Sequence, residues 1–374
     1  MKLHAFLSLL LFGSLLSAQI MYVGTYTKPE SKARGIYAYR FDPKTGKAED
    51  MGLMAETPDP SFLALHPNGK FLYAVNEVAT FQGKKAGSVT AFALDRTTGK
   101  LTQLNQVSTG GPGPCHLVVD ATGKTLLVAN YAGGSFASFP IMPDGKLGQA
   151  AGFVQETGSS IDKTRQNEPH GHSVVIPKSN KFVVGADLGT DKVMIFKLDA
   201  ANGKITPNEP PFATVKPGSG PRHLVIAPDQ KHVYVVNEMG SSVSTMEFDP
   251  NTGAMKQVDI VSTLPADFKG NSTCAEIAID AAGKFVYASN RGHDSIAVFE
   301  VDPKTARLKL IQNQSTGGST PRAFVLDASG NWIVVGNQDS NNFAVLKVDK
   351  NSGKLTATAD KYNLGAPVTF VFLK

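Results

Sequence analysis

The stretch His223-Leu-Val-Ile-Ala-Pro-Asp-Gln-Lys231 runs directly into His232-Val-Tyr-Val-Val-Asn237. Two short apolar, β-branched runs flank a Pro-Asp turn, so the segment reads as a pair of antiparallel strands joined tightly. The phrase recurs along the chain. Its closing position is filled by Thr25, Asn76, Asn130, Asp187, Asn237, Asn290 and Asn337, which lie 47–57 residues apart. A third segment follows each copy, as in Ser88-Val-Thr-Ala-Phe-Ala-Leu-Asp95 before Thr98-Gly99 and Ser295-Ile-Ala-Val-Phe-Glu-Val-Asp302 before Pro303. A fourth, such as 101–108, leads into a Gly/Pro-rich loop. Seven repeats of four short strands, with almost no helical periodicity, predict an all-β, seven-bladed β-propeller.

The two ends of the chain complete one another. Ala366-Pro-Val-Thr-Phe-Val-Phe372 matches the innermost strand of a blade, and Gln19 to Thr25 matches the second strand. The last blade is therefore expected to combine both termini, closing the ring and removing exposed edges. Residues 19–374 then form one propeller domain. Residues 1–18 stand apart: Lys2, an apolar run from Ala5 to Leu16, then Ser17-Ala18. That pattern predicts a secretory signal peptide, too short to span a bilayer. The mature protein is accordingly expected in the periplasm or outside the cell, as a monomer not inserted in the membrane.

Composition narrows the partners. A 41% hydrophobic fraction supports a large core. The formal charge of +5 is spread over turn lysines such as Lys47 and Lys100 without forming a stripe, which argues against nucleic acid. Cys115 and Cys274 fall in distant repeats and are expected as unpaired, buried thiols.

Where the copies differ, chemistry becomes possible. The residue opening the inner strand is Ser61, Cys115, His172, Arg222, Ala275, Arg322 and Val368 in turn, and the next is Phe62, His116, Ser173, His223, Glu276, Ala323 and Thr369. The residue just after the closing position of the second strand is Tyr26, Glu77, Tyr131, Leu188, Glu238, Arg291 and Gln338. Antiparallel pairing puts all three positions at one face of the disc. His116, His172, Arg222, His223, Glu238, Glu276, Arg291 and Arg322 should therefore converge at one mouth of the channel, with His170 and His293 in adjoining loops. A lone strand-end histidine is an ordinary structural residue, and the repeated asparagines bridge backbone groups. A concave rim of imidazoles, guanidinia and carboxylates is costly to desolvate and marks a ligand site.

At these residues the chain resembles the seven-bladed lactonase family, whose bacterial members are of the 6-phosphogluconolactonase type and whose distant relative is carboxymuconate lactonizing enzyme. The resemblance is carried by Gly220-Pro-Arg-His223 with Val236-Asn-Glu238, by Ser289-Asn-Arg-Gly-His-Asp-Ser295, and by Pro114-Cys-His116 with Ala129-Asn-Tyr131. It implies a catalytic set of one His, two Arg and one Glu, matched here by His172, Arg222, Glu238 and Arg291. The family's His-Pro-His-Ser phrase appears as Pro169-His-Gly-His-Ser173, leaving His170 as the alternative histidine. His116, His170, His223, Glu276, Arg322 and Asn130 are the expected substrate-binding residues.

The implied activity is hydrolysis of a sugar lactone to its open-chain aldonic acid, with a small-molecule lactone as partner and no cofactor or metal. His172 would act as general base, the arginines would hold an oxyanion, phosphate or carboxylate, and Glu238 would orient His172 or shuttle a proton. No Gly-x-Ser-x-Gly elbow supports a serine nucleophile. Export argues for an unphosphorylated substrate, because phosphorylated sugar lactones are cytoplasmic metabolites. Two other readings remain open: an isomerase that opens or closes a lactone ring without net hydrolysis, and a propeller that binds a sugar acid or peptide without turnover.

Overall fold

A computed structural model describes residues 18–373; apart from Ala18, the expected leader lies outside the described residues. Seven four-stranded antiparallel sheets follow one another around a ring, as the repeat predicts. The inner strands are Leu63–Leu65, Pro114–Val119, Gly171–Val175, Pro221–Ile226, Thr273–Ile279, Pro321–Leu326 and Pro367–Phe372. Among the described residues no helix is long and apolar enough to cross a membrane.

The closing blade is built from both ends. Gln19–Thr25 lies between Pro367–Phe372 and Gly35–Phe41, with Met21 opposite Phe372 and Val23 opposite Phe370. Removing residues 366–374 would leave this blade without its inner strand and expose an unpaired edge. The truncated chain is expected to lose its cooperative melting transition by circular dichroism; a sharp transition close to that of the intact protein would refute the seal.

The core is distributed, one apolar cluster per blade junction. Tyr73, Val75 and Val89 of one blade pack on Leu117, Leu126, Val128 and Phe139 of the next, and the remaining junctions follow the same plan. The repeat also supplies a polar tie. The second-strand tyrosines Tyr22, Tyr73, Tyr234 and Tyr287 each send a hydroxyl across a junction, to the carbonyls of Gly99, Gly145, Ala306 and Gly353 at 2.8–3.1 Å. Their phenol groups are thus satisfied while the rings fill the interface. The ring is a stiff frame, and what it positions are the strand ends at the two faces.

Candidate active site at the channel mouth

The inner strands enter the sheets through bulges. Pro114 pairs with Asn130 and His116 with Ala129, so Cys115 has no opposite residue. The same skip leaves His172, Arg222, Arg322 and Val368 unpaired in their blades. In the blade of Thr273–Ile279 the skip is longer and takes in Ala275 and Glu276. A bulge bends its strand and re-aims the extra side chain. Here it marks the variable positions of the repeat, which is why they gather at the mouth.

Glu238 is the hub. Its Oε2 accepts from Arg222 Nε at 3.1 Å and lies 2.9 Å from Arg291 Nη2, while Oε1 accepts from Arg165 Nη2 at 2.7 Å. Arg222 and Arg291 are braced from below by backbone: Arg222 Nη1 donates to Ala275 O at 2.6 Å and Arg291 Nη2 to Cys274 O at 2.8 Å. Burial alone would raise the Glu238 carboxyl, but Arg291, Arg222 and Arg165 outweigh it and hold it at about 2. The expected contact of Glu238 with His172 is not formed, because guanidinia occupy both carboxylate oxygens. A carboxyl ionised this firmly is also no proton shuttle at neutral pH.

Three imidazoles stand beside the hub. The His223 ring lies 5.1 Å from both His116 and His172, edge to face. His223 Nδ1 is 2.9 Å from Glu276 Oε1, and its Nε2 is buried without a partner. His116 Nδ1 accepts from Val174 N at 3.4 Å, and Phe62 packs on its ring at 3.9 Å. Burial, reinforced by neighbouring positive charge, holds His172 and His223 well below the usual imidazole value; burial does the same for His116, with His223 adding to it. Burial also pushes the Glu276 carboxyl up to about 7. Below these groups the channel turns apolar, in a cavity of about 350 Å³ lined by Phe62, Val225, Ile279, Phe324 and Phe370.

These shifts set a sign for stability. Between pH 5 and 6, unfolding frees three depressed imidazoles to take up protons, while Glu276 and Glu156 each release most of one from carboxyls held by burial at about 7 and Asp187, also held high by burial, releases part of another. The unfolded state gains protons on balance, so stability should rise with pH through this window and flatten above it. Urea midpoints measured across the window should follow that slope, and more gently in His116→Phe; a flat or falling profile would contradict the burial of neutral imidazoles.

The other expected residues fall around this centre. Arg322 lies over the Tyr26 ring at 5.1 Å and 4.0 Å from Glu77 Oε2, which also accepts from the Tyr26 hydroxyl at 2.8 Å. His170 stacks on Tyr131 at 4.5 Å, and its Nδ1 is 3.0 Å from the Tyr131 carbonyl, so it forms a wall of the mouth. His172, two residues further on and inside the strand, faces Tyr131 edge-on at 5.3 Å. Asn130 is wholly buried, and its Nδ2 donates to Thr109 O and Ser135 Oγ, which gives it the bracing contacts of its repeat position. His293 packs against Phe268 and lies 2.6 Å from Ser295 Oγ. Both cysteines are buried and unpaired, as expected, and burial raises the Cys115 thiol far from reactivity. Arg165 was missed by sequence reasoning. It belongs to no repeat position and sits in segment 156–170, the longest connection between consecutive strands; only that length distinguished it.

A mouth of this composition on a closed seven-bladed ring is matched along nearly the whole chain by one family model, Lactonase, 7-bladed beta-propeller, over residues 20–372. The chain belongs to this family. Among its lactonase relatives, the 6-phosphogluconolactonase of Bacillus subtilis is 37% identical over 80% of this chain and 82% of its own. That of Formosa agariphila is 35% identical over 80% and 83%. Solved structures agree. A putative 6-phosphogluconolactonase from Bacteroides fragilis superposes with a TM-score of 0.88 at 34% identity, covering 96% of this chain and 98% of that one. A periplasmic gluconolactonase of Pseudomonas aeruginosa gives 0.88 at 30%, covering 96% and 99%.

Proposed function

We propose that the protein is a carboxylic-ester hydrolase that opens a sugar lactone to its aldonic acid at the Glu238 mouth. The observation that carries this reading is the pair of guanidinia, Arg222 and Arg291, fixed by one carboxylate and two backbone carbonyls beside neutral imidazoles. Donors held in place before reaction stabilise charge that develops on a carbonyl oxygen without reorganising. Relatives named for gluconolactone and phosphogluconolactone hydrolysis support the same chemistry.

His172 is the proposed general base. It is 4% exposed, and its Nδ1 faces Cys115 Sγ at 3.7 Å, leaving Nε2 for water. A depressed imidazole is a weaker base, but it is unprotonated throughout the neutral range. The proton role first considered for Glu238 passes to Glu276, whose carboxyl at about 7 can hold or release a proton beside His223. Arg222 and Arg291 receive the oxyanion, and Glu238 keeps their forks aligned.

Export from the cytoplasm through the 1–18 leader is part of the proposal, as are a periplasmic or extracellular location and a monomeric state. The leader pattern supports export, and so does likeness to a periplasmic gluconolactonase. The exported enzyme would then meet unphosphorylated lactones. A panel of lactones with and without phosphate, followed by base consumption in a pH-stat, tests the reading. Turnover above the spontaneous rate is expected; ring isomerisation without base uptake, or ligand-induced thermal stabilisation with no turnover, would overturn it.

A further inference from the structure

We propose that Arg165, carried on segment 156–170, is a specificity-determining residue that binds an anionic substituent of the lactone, a carboxylate or a phosphate, away from the reacting carbonyl. The inference rests on the lactonase reading of the mouth.

Three guanidinia, Arg165, Arg222 and Arg291, share the single charge of Glu238, leaving an excess of two positive charges at the hub. Arg322 is offset by Glu77 and does not change that balance. The three cations are not equivalent. The Arg222 side chain is 2% exposed and that of Arg291 15%; Arg222 donates to a backbone carbonyl of the neighbouring blade and Arg291 to one of its own blade. The Arg165 side chain is 40% exposed and approaches from above the disc. Its Nη2 alone is engaged, by Glu238 Oε1 at 2.7 Å and the Tyr131 hydroxyl at 3.2 Å. Among the described residues nothing hydrogen-bonds its Nη1 or Nε. A guanidinium with one edge tethered and the other open is suited to a forked grip on a carboxylate or phosphate.

The segment that carries it is held in place. Gln166 is wholly buried, and its Nε2 donates to Leu188 O at 2.9 Å. Asp162 Oδ1 accepts from the backbone of Thr164 at 2.8 Å and of Arg165 at 3.0 Å, fixing the turn that presents the side chain. Ser160 Oγ bonds Asp191, whose carboxylate also accepts from Gly218 N at 2.6 Å and Gly220 N at 2.7 Å. One carboxylate therefore ties the Arg165 segment to the loop that leads into Arg222. Arg165 is positioned relative to the reacting centre before any ligand arrives, and pre-ordering of this kind is what lets a side chain discriminate. Combined with the proposed export, it favours lactones of sugar acids that bear a second carboxylate.

The test compares wild type, Arg165→Ala and Arg165→Lys on three probes: neutral glucono-δ-lactone, its 6-phosphate, and a glucarolactone bearing a free carboxylate. The ratio of kcat/KM for charged over neutral lactone should exceed one in wild type. It should fall at least tenfold in Arg165→Ala, chiefly through KM, and recover in part in Arg165→Lys. Whichever charged probe shows the larger change identifies the anion as carboxylate or phosphate. An unchanged ratio, including an equal loss on all three probes, would overturn the proposal and leave Arg165 a merely structural contact. Calorimetric titration with gluconate 6-phosphate and glucarate reads binding without turnover. If wild type hydrolyses no lactone yet binds these anions more tightly than Arg165→Ala does, the lactonase reading fails and the assignment of Arg165 to anion binding stands. Equal affinities in the two proteins overturn the assignment.

Discussion

Glu238→Ala is expected to lose lactone hydrolysis by at least about a hundredfold and to lower unfolding stability by about 3–5 kcal/mol, the usual cost of removing one partner from a buried ion pair. The size follows from geometry. Glu238 is 6% exposed and, among the described residues, is the only carboxylate bonded to Arg222, which is 2% exposed. Without it, Arg222 remains as a buried cation beside Arg322 and Arg291; burial first, then these two charges, already lower it to about 10. The guanidinia would swing apart, and with them the oxyanion donors. Glu238→Gln keeps the shape and one acceptor oxygen, so it should recover part of the stability and little of the rate. Urea unfolding and initial rates on the same samples check this. A Glu238→Ala protein as stable as wild type would mean that the hub is not a structural keystone.

His172→Ala should separate rate from stability. The general-base assignment predicts a fall in kcat of roughly a hundred- to ten-thousandfold. No ion pair is broken, so the protein should remain folded with a cooperative transition. The pH dependence carries the signature. Burial first, then Arg222, His223 and Arg322, depress this imidazole below 6.5. The acid limb of kcat/KM in wild type should therefore fall below pH 6.5, while the Glu276 carboxyl, pushed up by burial to about 7, should set the alkaline limb near neutrality. Arg322→Gln removes one of the depressing charges and should move the acid limb upward. An acid limb at or above 6.5 in wild type, unmoved in Arg322→Gln, would point to a different base.

Most of the frame was legible in sequence because a propeller writes its architecture as a repeat. Thr25, Asn76, Asn130, Asp187, Asn237, Asn290 and Asn337 marked the same strand end seven times, and the match between Gln19–Thr25 and 366–372 predicted the closing blade. The mouth was legible for the same reason in reverse, since His172, Arg222, Glu238 and Arg291 stand where the repeat departs from itself. What was not legible is pairing across blades. Whether Glu238 turns to His172 or to the arginines depends on bulge geometry, and the skip at Arg222 aims its guanidinium along the rim to the carboxylate. Arg165 escaped because a long loop has no repeat phase: nothing local indicates that residue 165 crosses to residue 238. The exchange of roles between Glu238 and Glu276 is likewise electrostatic. Two carboxyls at comparable depth differ because guanidinia surround one and imidazoles with apolar walls surround the other.

The most direct test of the account is a crystal structure of the mature protein with a non-hydrolysable lactam analogue of the sugar lactone. The account predicts the ring carbonyl oxygen within hydrogen-bonding distance of Arg222 and Arg291, with His172 Nε2 on the side from which water would attack. A lactam seated at the opposite face of the disc, or at the mouth with its carbonyl turned away from both guanidinia, would contradict it.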